Sequence, residues 1–299
     1  MSRLRNPRAD ELDTSTDTGA SATGVAVADA RTTASTGRAE RGGVRISPRV
    51  GSLLIVLVLL VLLQLAGSWD IGGAGILPTT TEVAGALGEV LTDPATYGAI
   101  GATFTSWLVG FGIAVIGGVA LGLLVGLSRF AARSTRGLFD FLRSTPAIAF
   151  IPMAVLLLGT GDVFKVSLIV FTCIWVILLQ TTAGLRSIDA ITLESARSLR
   201  MSRSQRIRWV LLPAALPYVL TGVRLAAVKG FLLSIGAELI AGADGLGQEI
   251  LLRQMGGATA QMWAFVVLAA VLGVVVSLVF TMIESSALRW DVSQRVNAE

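Results

Sequence analysis

Three ionisable residues, Arg224, Lys229 and Glu238, interrupt an otherwise apolar segment between residues 210 and 240. A charged side chain near the centre of a bilayer costs about 2.5–3.5 kcal/mol, so such residues usually face the protein interior and mark a solute or ion path. A guanidinium binds oxyanions such as sulfonate or nitrate through paired hydrogen bonds. Arg224 is therefore a candidate for solute contact, with an interhelical ion pair or snorkelling to the interface as the alternatives.

The spacing of these residues predicts how they face. Arg224 and Glu238 are 14 positions apart, which places them about 40° apart around a helix and about four turns apart along it. Both can face one side of the helix without touching, so each needs a partner elsewhere. Lys229 points about 140° away from Arg224, assuming about 100° per residue, and is a weaker candidate for solute contact. Glu238 is expected near the outer interface.

Residue types for most enzyme chemistry are missing. The chain has no histidine and one cysteine, Cys173, which excludes Cys/His zinc sites, histidine catalysis and an intrachain disulfide. Asp162 and Glu238 would be the acid and base of an intramembrane enzyme, but no nucleophile accompanies them. No G-x-x-x-x-G-K-[ST] phosphate loop occurs, and the only lysines are Lys165 and Lys229. We therefore expect no metal, no cofactor and no ATPase site in this chain.

The composition predicts a polytopic membrane protein. Of 299 residues, 53% are hydrophobic and 15% charged, and the mean hydropathy is +0.74. A helix needs about 20 mainly apolar residues to cross the hydrocarbon. Five charge-free stretches near or above that length, together with the segment that contains Arg224, predict an all-α fold with six transmembrane helices. The first helix is expected at 50–68, and the other segments are 102–128, 144–161, 166–185, 210–240 and 254–283.

Two prolines, Pro146 and Pro152, fall within the 144–161 segment. Each removes a backbone hydrogen bond and disfavours helical geometry at the residue before it. The segment is therefore predicted to be a broken or kinked helix. The freed carbonyl groups could line a solute path, and an ordinary kink supported by neighbouring helices is the alternative.

Glycines recur at near-helical spacing in the 102–128 segment, a pattern typical of close helix–helix packing. They are Gly110, Gly117, Gly118, Gly122 and Gly126. A second glycine-rich stretch, "GADGLG" at 242–247, is similar to a nucleotide-binding turn, but no predicted strand precedes it. We expect a loop on the outer side of the membrane.

The distribution of Lys and Arg predicts the orientation, because cytoplasmic segments retain these residues. With the amino terminus inside and six helices, the inner segments hold 20 of the 24 Lys and Arg residues. Both termini are then cytoplasmic in a multi-pass protein of the cell membrane. The tail at 1–48 is rich in Ser, Thr, Ala and Gly, which predicts disorder, and a second cytoplasmic tail occupies 289–299.

The arginine loop, residues 186–208, carries six arginines between two apolar segments. Burying them at the membrane centre would cost about 15–20 kcal/mol, so the loop is expected outside the hydrocarbon. Residues 190–199 fit a helix on which Ile191, Ser195 and Leu199 share a weakly apolar face. Such a face suits the groove of a partner protein, and a helix lying on the bilayer surface is the alternative.

The same stretch resembles the cytoplasmic EAA signature of binding-protein-dependent ABC importer permeases, which reads EAA, three residues, G, nine residues, I, any residue, LP. The matching residues are Glu194, Ser195, Ala196, Val210, Leu212 and Pro213. Ser195 replaces the second signature residue, and Arg200 stands where the family usually has Gly. A Gly there suits a left-handed conformation that ends a helix, in which a residue with a Cβ costs about 1 kcal/mol. The turn after the helix is therefore expected to differ in this chain.

The resemblance extends over about residues 76–288, and the segments 142–165 and 221–247 are similar to the nitrate/sulfonate/taurine subgroup. It implies a type I importer permease with its core at 97–288 that forms a homodimer. The permease would dock two cytoplasmic ATPase subunits, which bind the ATP, and would receive solute from an extracytoplasmic binding protein.

The resemblance also implies roles for particular residues. Ala196→Trp is expected to block ATPase assembly without disturbing membrane insertion. The implied coupling residues are Glu194, Ser195, Ala196, Leu199, Arg200, Leu212 and Pro213. The candidates for the solute pathway are Arg224, Glu238, Pro146 and Pro152.

Other functions stay open on the sequence alone. An ion-coupled secondary transporter also needs intramembrane charges, although such carriers usually show internal repeats, and none is evident here. A membrane scaffold could dock a cytosolic partner without transport. Despite a net charge of +4, nucleic acid is not expected as a partner, because no basic patch with interleaved aromatic residues occurs. The resemblance implies that the solute is a small oxyanion or organosulfur compound (aliphatic sulfonate, taurine or nitrate), or alternatively a heterocyclic vitamin precursor.

Overall fold

The structure is a computed structural model that describes residues 48–69 and 77–288. The predicted tails, 1–48 and 289–299, lie outside these residues apart from Pro48. The described part consists of helices and turns and contains no strand, which confirms the all-α class. The helices are α1 (Pro48–Ser68), α2 (Thr80–Thr92), α3 (Pro94–Gly126), α4 (Arg129–Ser134), α5 (Arg136–Ser144), α6 (Ile151–Leu158), α7 (Asp162–Arg186), α8 (Ala190–Ser198), α9 (Arg203–Arg206), α10 (Leu212–Ala241), α11 (Leu246–Met255) and α12 (Thr259–Ala287), with a 3₁₀ turn at Ala147–Phe150 and a π turn at Ile207–Leu211.

Helices α3 and α7 run parallel and pack closely through glycines. A Cβ added to Gly122 would lie only 2.6 Å from Thr181 Cβ, so no side chain larger than hydrogen fits there without a shift. Four such contacts join residues that are 59 positions apart. This constant separation means that residue numbers rise in the same direction along both helices, so the helices are parallel. The predicted glycine face is confirmed as a packing surface. The pairs in this register are Gly110 with Ile169, Gly118 with Ile177, Gly122 with Thr181 and Gly126 with Leu185, and Gly117 meets Ile174.

The chain between α3 and α7 has to return across the membrane, because two parallel spanning helices enter from the same side. The helical segments 137–144 and 147–158 lie in this stretch and are bent by 77° relative to each other; counted as one span, they supply the return. Pro146 lies at the bend, which confirms the predicted break. Pro152 lies in the first turn of α6, where a missing N–H removes no helical hydrogen bond, so it does not add a kink.

Four helical runs of the described residues are long and apolar enough to cross a membrane. They are Pro94–Gly126, Asp162–Arg186, Arg203–Met255 and Thr259–Ala287, and the bent pair makes a fifth crossing if it is one span. Helix α1 has 21 residues and coincides with the predicted first helix. The full count of six stays a prediction. The last segment begins later than expected, because Gln254 still belongs to α11 and a turn precedes α12.

Helix α10 packs antiparallel to α7 and closes the core. Gly222 lies against Gln180, and Gly230 lies against Cys173, so residue numbers rise along one helix as they fall along the other. The indole N–H of Trp107 on α3 donates to a backbone carbonyl of α10 at 3.0 Å. This bond satisfies the one polar group of a buried tryptophan and ties α3 to α10.

Helices α2 and α11, which lie largely outside the six predicted spans, cover one end of this core. Helix α2 begins with a capping box in which Thr79 accepts from the Glu82 N–H and the Glu82 carboxylate accepts from the Thr79 N–H. Its buried residues Ala86 and Val90 pack with Leu246 of α11 in one apolar cluster that also contains residues of α12. The capping signature T-x-x-E was present in the sequence and would have predicted α2.

Candidate functional site

Helix α8 forms inside the arginine loop, as predicted, and leaves one face exposed. Ile191 and Leu199 are 70% and 76% exposed, and Glu194 and Ser195 are exposed beside them. Ala196 is only 4% exposed and therefore packs against the rest of the chain. A tryptophan at that position would distort the loop itself, so Ala196→Trp cannot separate partner docking from local folding. Leu199 is the better probe of the exposed face.

The end of α8 is a Schellman motif built around Arg200. The Met201 N–H donates to the Ala196 carbonyl at 3.2 Å, and the Arg200 N–H donates to the Arg197 carbonyl at 2.8 Å. Arg200 has a φ of +53°, and no other non-glycine residue in the described ranges has a positive φ. The expectation that the turn would differ here is wrong. The turn keeps the left-handed geometry that favours glycine, because its two hydrogen bonds satisfy the last carbonyls of α8.

We expect Arg200→Gly to stabilise the end of α8 by about 1 kcal/mol, because glycine adopts the left-handed conformation without a Cβ clash. Hydrogen exchange of the amides of 199–201 measures the effect and should slow by about fivefold. Arg197→Gly is the matched control, since the same change inside the helix should destabilise it by about 1 kcal/mol. Faster exchange in Arg200→Gly would contradict the strain argument.

The loop helix ends well before Pro213. The break lies at 199–202, and a new helical run begins at α9, capped by Ser202, and continues through the π turn into α10. The wide π turn precedes the proline, which has no N–H to donate and whose ring crowds a regular turn. Leu212 and Pro213 line an apolar groove of about 470 Å³ together with Val119 and Leu123 of α3. Their observed contacts are therefore with the core.

Arg224 forms an ion pair with Glu284 of α12, with 2.9 Å between Nε and Oε2. The Thr221 hydroxyl donates to the other carboxylate oxygen at 2.6 Å. This is the interhelical pair that the sequence analysis gave as the alternative to solute contact. The sequence did not identify Glu284 as the partner of Arg224, because Glu284 lies one residue beyond the last apolar segment. A carboxylate at that position is typical of a solvated helix end.

Glu238 lies at the centre of an ion cluster that comprises Thr103, Asp162, Lys165 and Glu238, in which Asp162 is exposed and the other three are buried. Glu238 is 0% exposed and Lys165 is 1% exposed, and their charged atoms are 3.7 Å apart. Lys165 Nζ is also 3.1 Å from an Asp162 oxygen. The Thr103 hydroxyl donates to Glu238 at 2.9 Å. Glu238 and Lys165 are both enclosed by protein near the end of α10. The expected position of Glu238 near the outer interface stays a prediction.

The GADGLG stretch completes this cluster: residues 242–245 form the predicted loop, and Leu246 and Gly247 begin α11. The Gly247 N–H donates to the Glu238 carboxylate at 3.1 Å, and the Leu246 N–H donates to the Thr103 hydroxyl oxygen at 2.9 Å. Gly245 has a φ of +148°, and a Cβ on it would overlap the Glu238 carboxylate. The similarity to a nucleotide-binding turn therefore has a physical basis, because backbone N–H groups exposed by glycines bind an anion. The anion is the protein's own carboxylate.

A polar cavity of about 700 Å³ opens between the end of α5, α7 and α10. Its lining includes Lys229, the residue that the sequence analysis ranked below Arg224. Its described lining includes none of the four pathway candidates, which were Arg224, Glu238, Pro146 and Pro152. Two features of the sequence indicate this cavity: the positive charge of Lys229 in the middle of α10, and the polar residues Thr172 and Gln180 on α7. The pairing of two distant helices that encloses it could not be read from either segment alone.

The comparisons with known proteins agree with the resemblance. The family described as "Binding-protein-dependent transport system inner membrane component" matches residues 118–288, which is more than half of the chain. The chain belongs to this family. It is therefore a multi-pass permease component of the nitrate/sulfonate/taurine-like subgroup, as the sequence predicted.

Relatives of this permease carry names from one narrow range of solutes. An aliphatic sulfonates transport permease of Bacillus subtilis (strain 168), SsuC, is 28% identical over 80% of this chain and 86% of its own length. The bicarbonate permease CmpB of Synechococcus elongatus is 39% identical over 49% of this chain and 53% of its own. The taurine permease TauC of Escherichia coli K12 is 30% identical over 58% and 62%. The matches thus span about half to nearly all of these relatives.

Solved structures support the type I importer fold of the permease. An inward-facing structure of the MetNI methionine ABC transporter matches 69% of this chain and 96% of its own, with a TM-score of 0.51 and 22% identity. An amino acid ABC transporter solved with histidines matches 68% and 97%, with a TM-score of 0.56 and 19% identity. These likenesses concern the fold alone.

Proposed function

We propose that this permease couples the motion of cytoplasmic ATPase subunits to alternating access for a small oxyanion or organosulfur solute. The family match, together with the exposed face of α8 at the signature position, is the observation that carries the proposal. Two ATPase subunits bind the ATP and contact α8. A second copy of the permease completes the solute pathway. An extracytoplasmic binding protein delivers the solute.

The proposed orientation puts α8 and both termini in the cytoplasm. It follows from the excess of Lys and Arg in the segments on that side, and the six arginines of residues 186–208 are the largest group within one connecting loop. The parallel α3 and α7 then both run from the outer to the inner side. Helix α8 comes directly after the inner end of α7, at the place where a cytosolic ATPase can reach it.

The solute class follows from the names of the relatives. Sulfonate, nitrate and bicarbonate are small oxyanions, and taurine carries a sulfonate group, so one charge type unites the solutes named for SsuC, NrtB, CmpB and TauC. We assign this class to the permease and not a single member of it. An ion-coupled carrier is less well supported, because both intramembrane carboxylates, Glu238 and Glu284, already have a cationic side chain within 4 Å in the described structure.

The docking role predicts the result of changing Leu199 to glutamate. The side chain is 76% exposed, so the amount of permease in the membrane should stay unchanged. Desolvating a new carboxylate in the ATPase groove should lower the ATPase activity that copurifies with the tagged permease at least tenfold, and solute uptake with it. The ATPase activity is measured after purification from the native host, and solute uptake is measured in cells of that host.

Leu252→Glu is the matched control for this experiment. Leu252 is 53% exposed on α11, at the proposed outer side, so its ATPase activity should copurify as in the wild type. Full ATPase activity and uptake in Leu199→Glu would contradict the docking role of α8. ATPase copurification without uptake of any of the named anions by the wild type would favour a scaffold instead.

A further inference from the structure

The polar cavity has the dimensions and the lining of a small-molecule site. Its volume of about 700 Å³ falls within the roughly 300–1,000 Å³ that is usual for ligand pockets. Helix α7 supplies one wall, in which Thr172, Trp175 and Gln180 lie among apolar side chains, and α10 supplies Leu225 and Lys229. The polar residues around it are Arg143, Ser144, Thr145, Thr172, Trp175, Gln180 and Lys229.

The charge of this lining has one sign. Lys229 and Arg143 are both cationic, and no acidic residue occurs among the described residues that line the cavity. Lys229 forms no ion pair with any side chain in the described ranges, whereas Arg224, five positions earlier on α10, is paired with Glu284. An intramembrane charge is normally balanced by a partner or by a hydrated path. Without a partner side chain in the described ranges, Lys229 needs a hydrated path or a bound anion.

Two hydrogen-bond donors of the α7 wall also lack a partner in the described structure. They are the Thr172 hydroxyl and the Trp175 indole N–H, and both donor atoms are buried. A buried donor without an acceptor costs about 1–3 kcal/mol. Both donor atoms are shielded from the cavity in this conformation. An oxyanion in the cavity would offer a negative charge to Lys229, and a rotation of the Thr172 and Trp175 side chains toward it would give both donors an acceptor.

We propose that this cavity binds the transported oxyanion, with Lys229 as its principal counter-charge and Thr172 and Trp175 as hydrogen-bond donors. The inference rests on the proposed function and adds to it an intramembrane solute site on the permease itself. Lys229 lies near the middle of α10 (Leu212–Ala241), where a lysine facing lipid would be costly and one facing a hydrated cavity is not. Gln180 and Arg143 extend the polar path toward the proposed cytosolic side.

The site is tested on the purified permease–ATPase assembly in detergent, with nitrate as the probe. Nitrate quenches indole fluorescence, and the difference between wild type and Trp175→Phe isolates the signal from the cavity. We expect Lys229→Gln to raise the nitrate concentration at half-quenching at least tenfold and Lys229→Arg to restore most of the affinity. Thr172→Val should weaken binding about threefold. Thr181→Val is the matched control, because its hydroxyl donates to its own helix at 2.8 Å and lies outside the cavity.

The outcomes separate the site from the proposed function. Unchanged half-quenching in Lys229→Gln, in a wild-type assembly that imports nitrate, methanesulfonate or bicarbonate, would overturn this inference and leave the proposed function standing. Import of none of these anions by the wild type would overturn both. Complete displacement of nitrate by phosphatidylglycerol, with import unaffected by Lys229→Gln, would assign the cavity to a lipid phosphate and overturn the inference.

Discussion

Replacing Glu238 by alanine is expected to lower the free energy of unfolding by about 3–5 kcal/mol, because it removes a fully buried carboxylate beside a buried cation and leaves Lys165 with the exposed Asp162 carboxylate as its counter-charge. Lys165 is 1% exposed and has Glu238 at 3.7 Å. The Thr103 hydroxyl and the Gly247 N–H would lose their shared acceptor as well. The measurement is chemical unfolding of the purified permease in detergent, together with its yield in the membrane.

A surface pair on α11 provides the control for this prediction. Glu249 lies 3.3 Å from Arg253 in a partly exposed pair, and Glu249→Ala should cost less than about 1 kcal/mol. The double change Lys165→Met with Glu238→Gln should recover about 1–3 kcal/mol of the loss, because it removes both buried charges. If Glu238→Ala costs no more than Glu249→Ala, the ion cluster does not stabilise the junction of α3, α7, α10 and α11.

Changing Gly122 to alanine is expected to destabilise the permease by about 1–3 kcal/mol through overpacking. The new methyl group would lie 2.6 Å from Thr181 Cβ and 3.0 Å from the Leu178 carbonyl oxygen. Neither atom belongs to the flexible end of a side chain, so α3 and α7 would have to separate. The free energy of unfolding and the temperature of aggregation in detergent both report this change.

Gly112 on the same helix is the matched control. A Cβ there meets nothing within 4 Å, so Gly112→Ala removes backbone freedom without a clash and should stabilise the helix by about 0.5–1 kcal/mol. The two changes are chemically identical and ten residues apart, and we expect opposite signs. The same sign for both would mean that glycine contacts do not set the distance between α3 and α7.

Local pattern carried much of the prediction. The glycine spacing of α3 predicted its packing face, Pro146 predicted the break before α6, and residues 190–199 predicted α8, because each signal is contained within a few helical turns. The family signature also pointed to a special conformation at Arg200, which the structure has. What failed there was the assumption that an arginine would change the turn, although the cost of about 1 kcal/mol is small beside two good hydrogen bonds.

The partners of the ionisable residues could not be predicted from the sequence. Nothing in the α10 segment indicates that Arg224 meets Glu284, that Glu238 meets Thr103, or that Lys229 faces a cavity. These contacts depend on the packing of α3, α7, α10 and α12, and a small rotation of any helix would exchange one neighbour for another. The ranking of Arg224 above Lys229 for solute contact rested on the affinity of a guanidinium for oxyanions. It did not take into account which helix each side chain faces.

The sequence by itself determined the membrane class, the family and the position of the exposed loop helix α8, because hydropathy, helical period and a short signature are local properties of the chain. Only the tertiary structure decided which charges neutralise each other and which one lines the cavity. The physical reason is distance along the chain: Thr103 and Glu238 are 135 residues apart, and only helix packing brings such groups within hydrogen-bonding range.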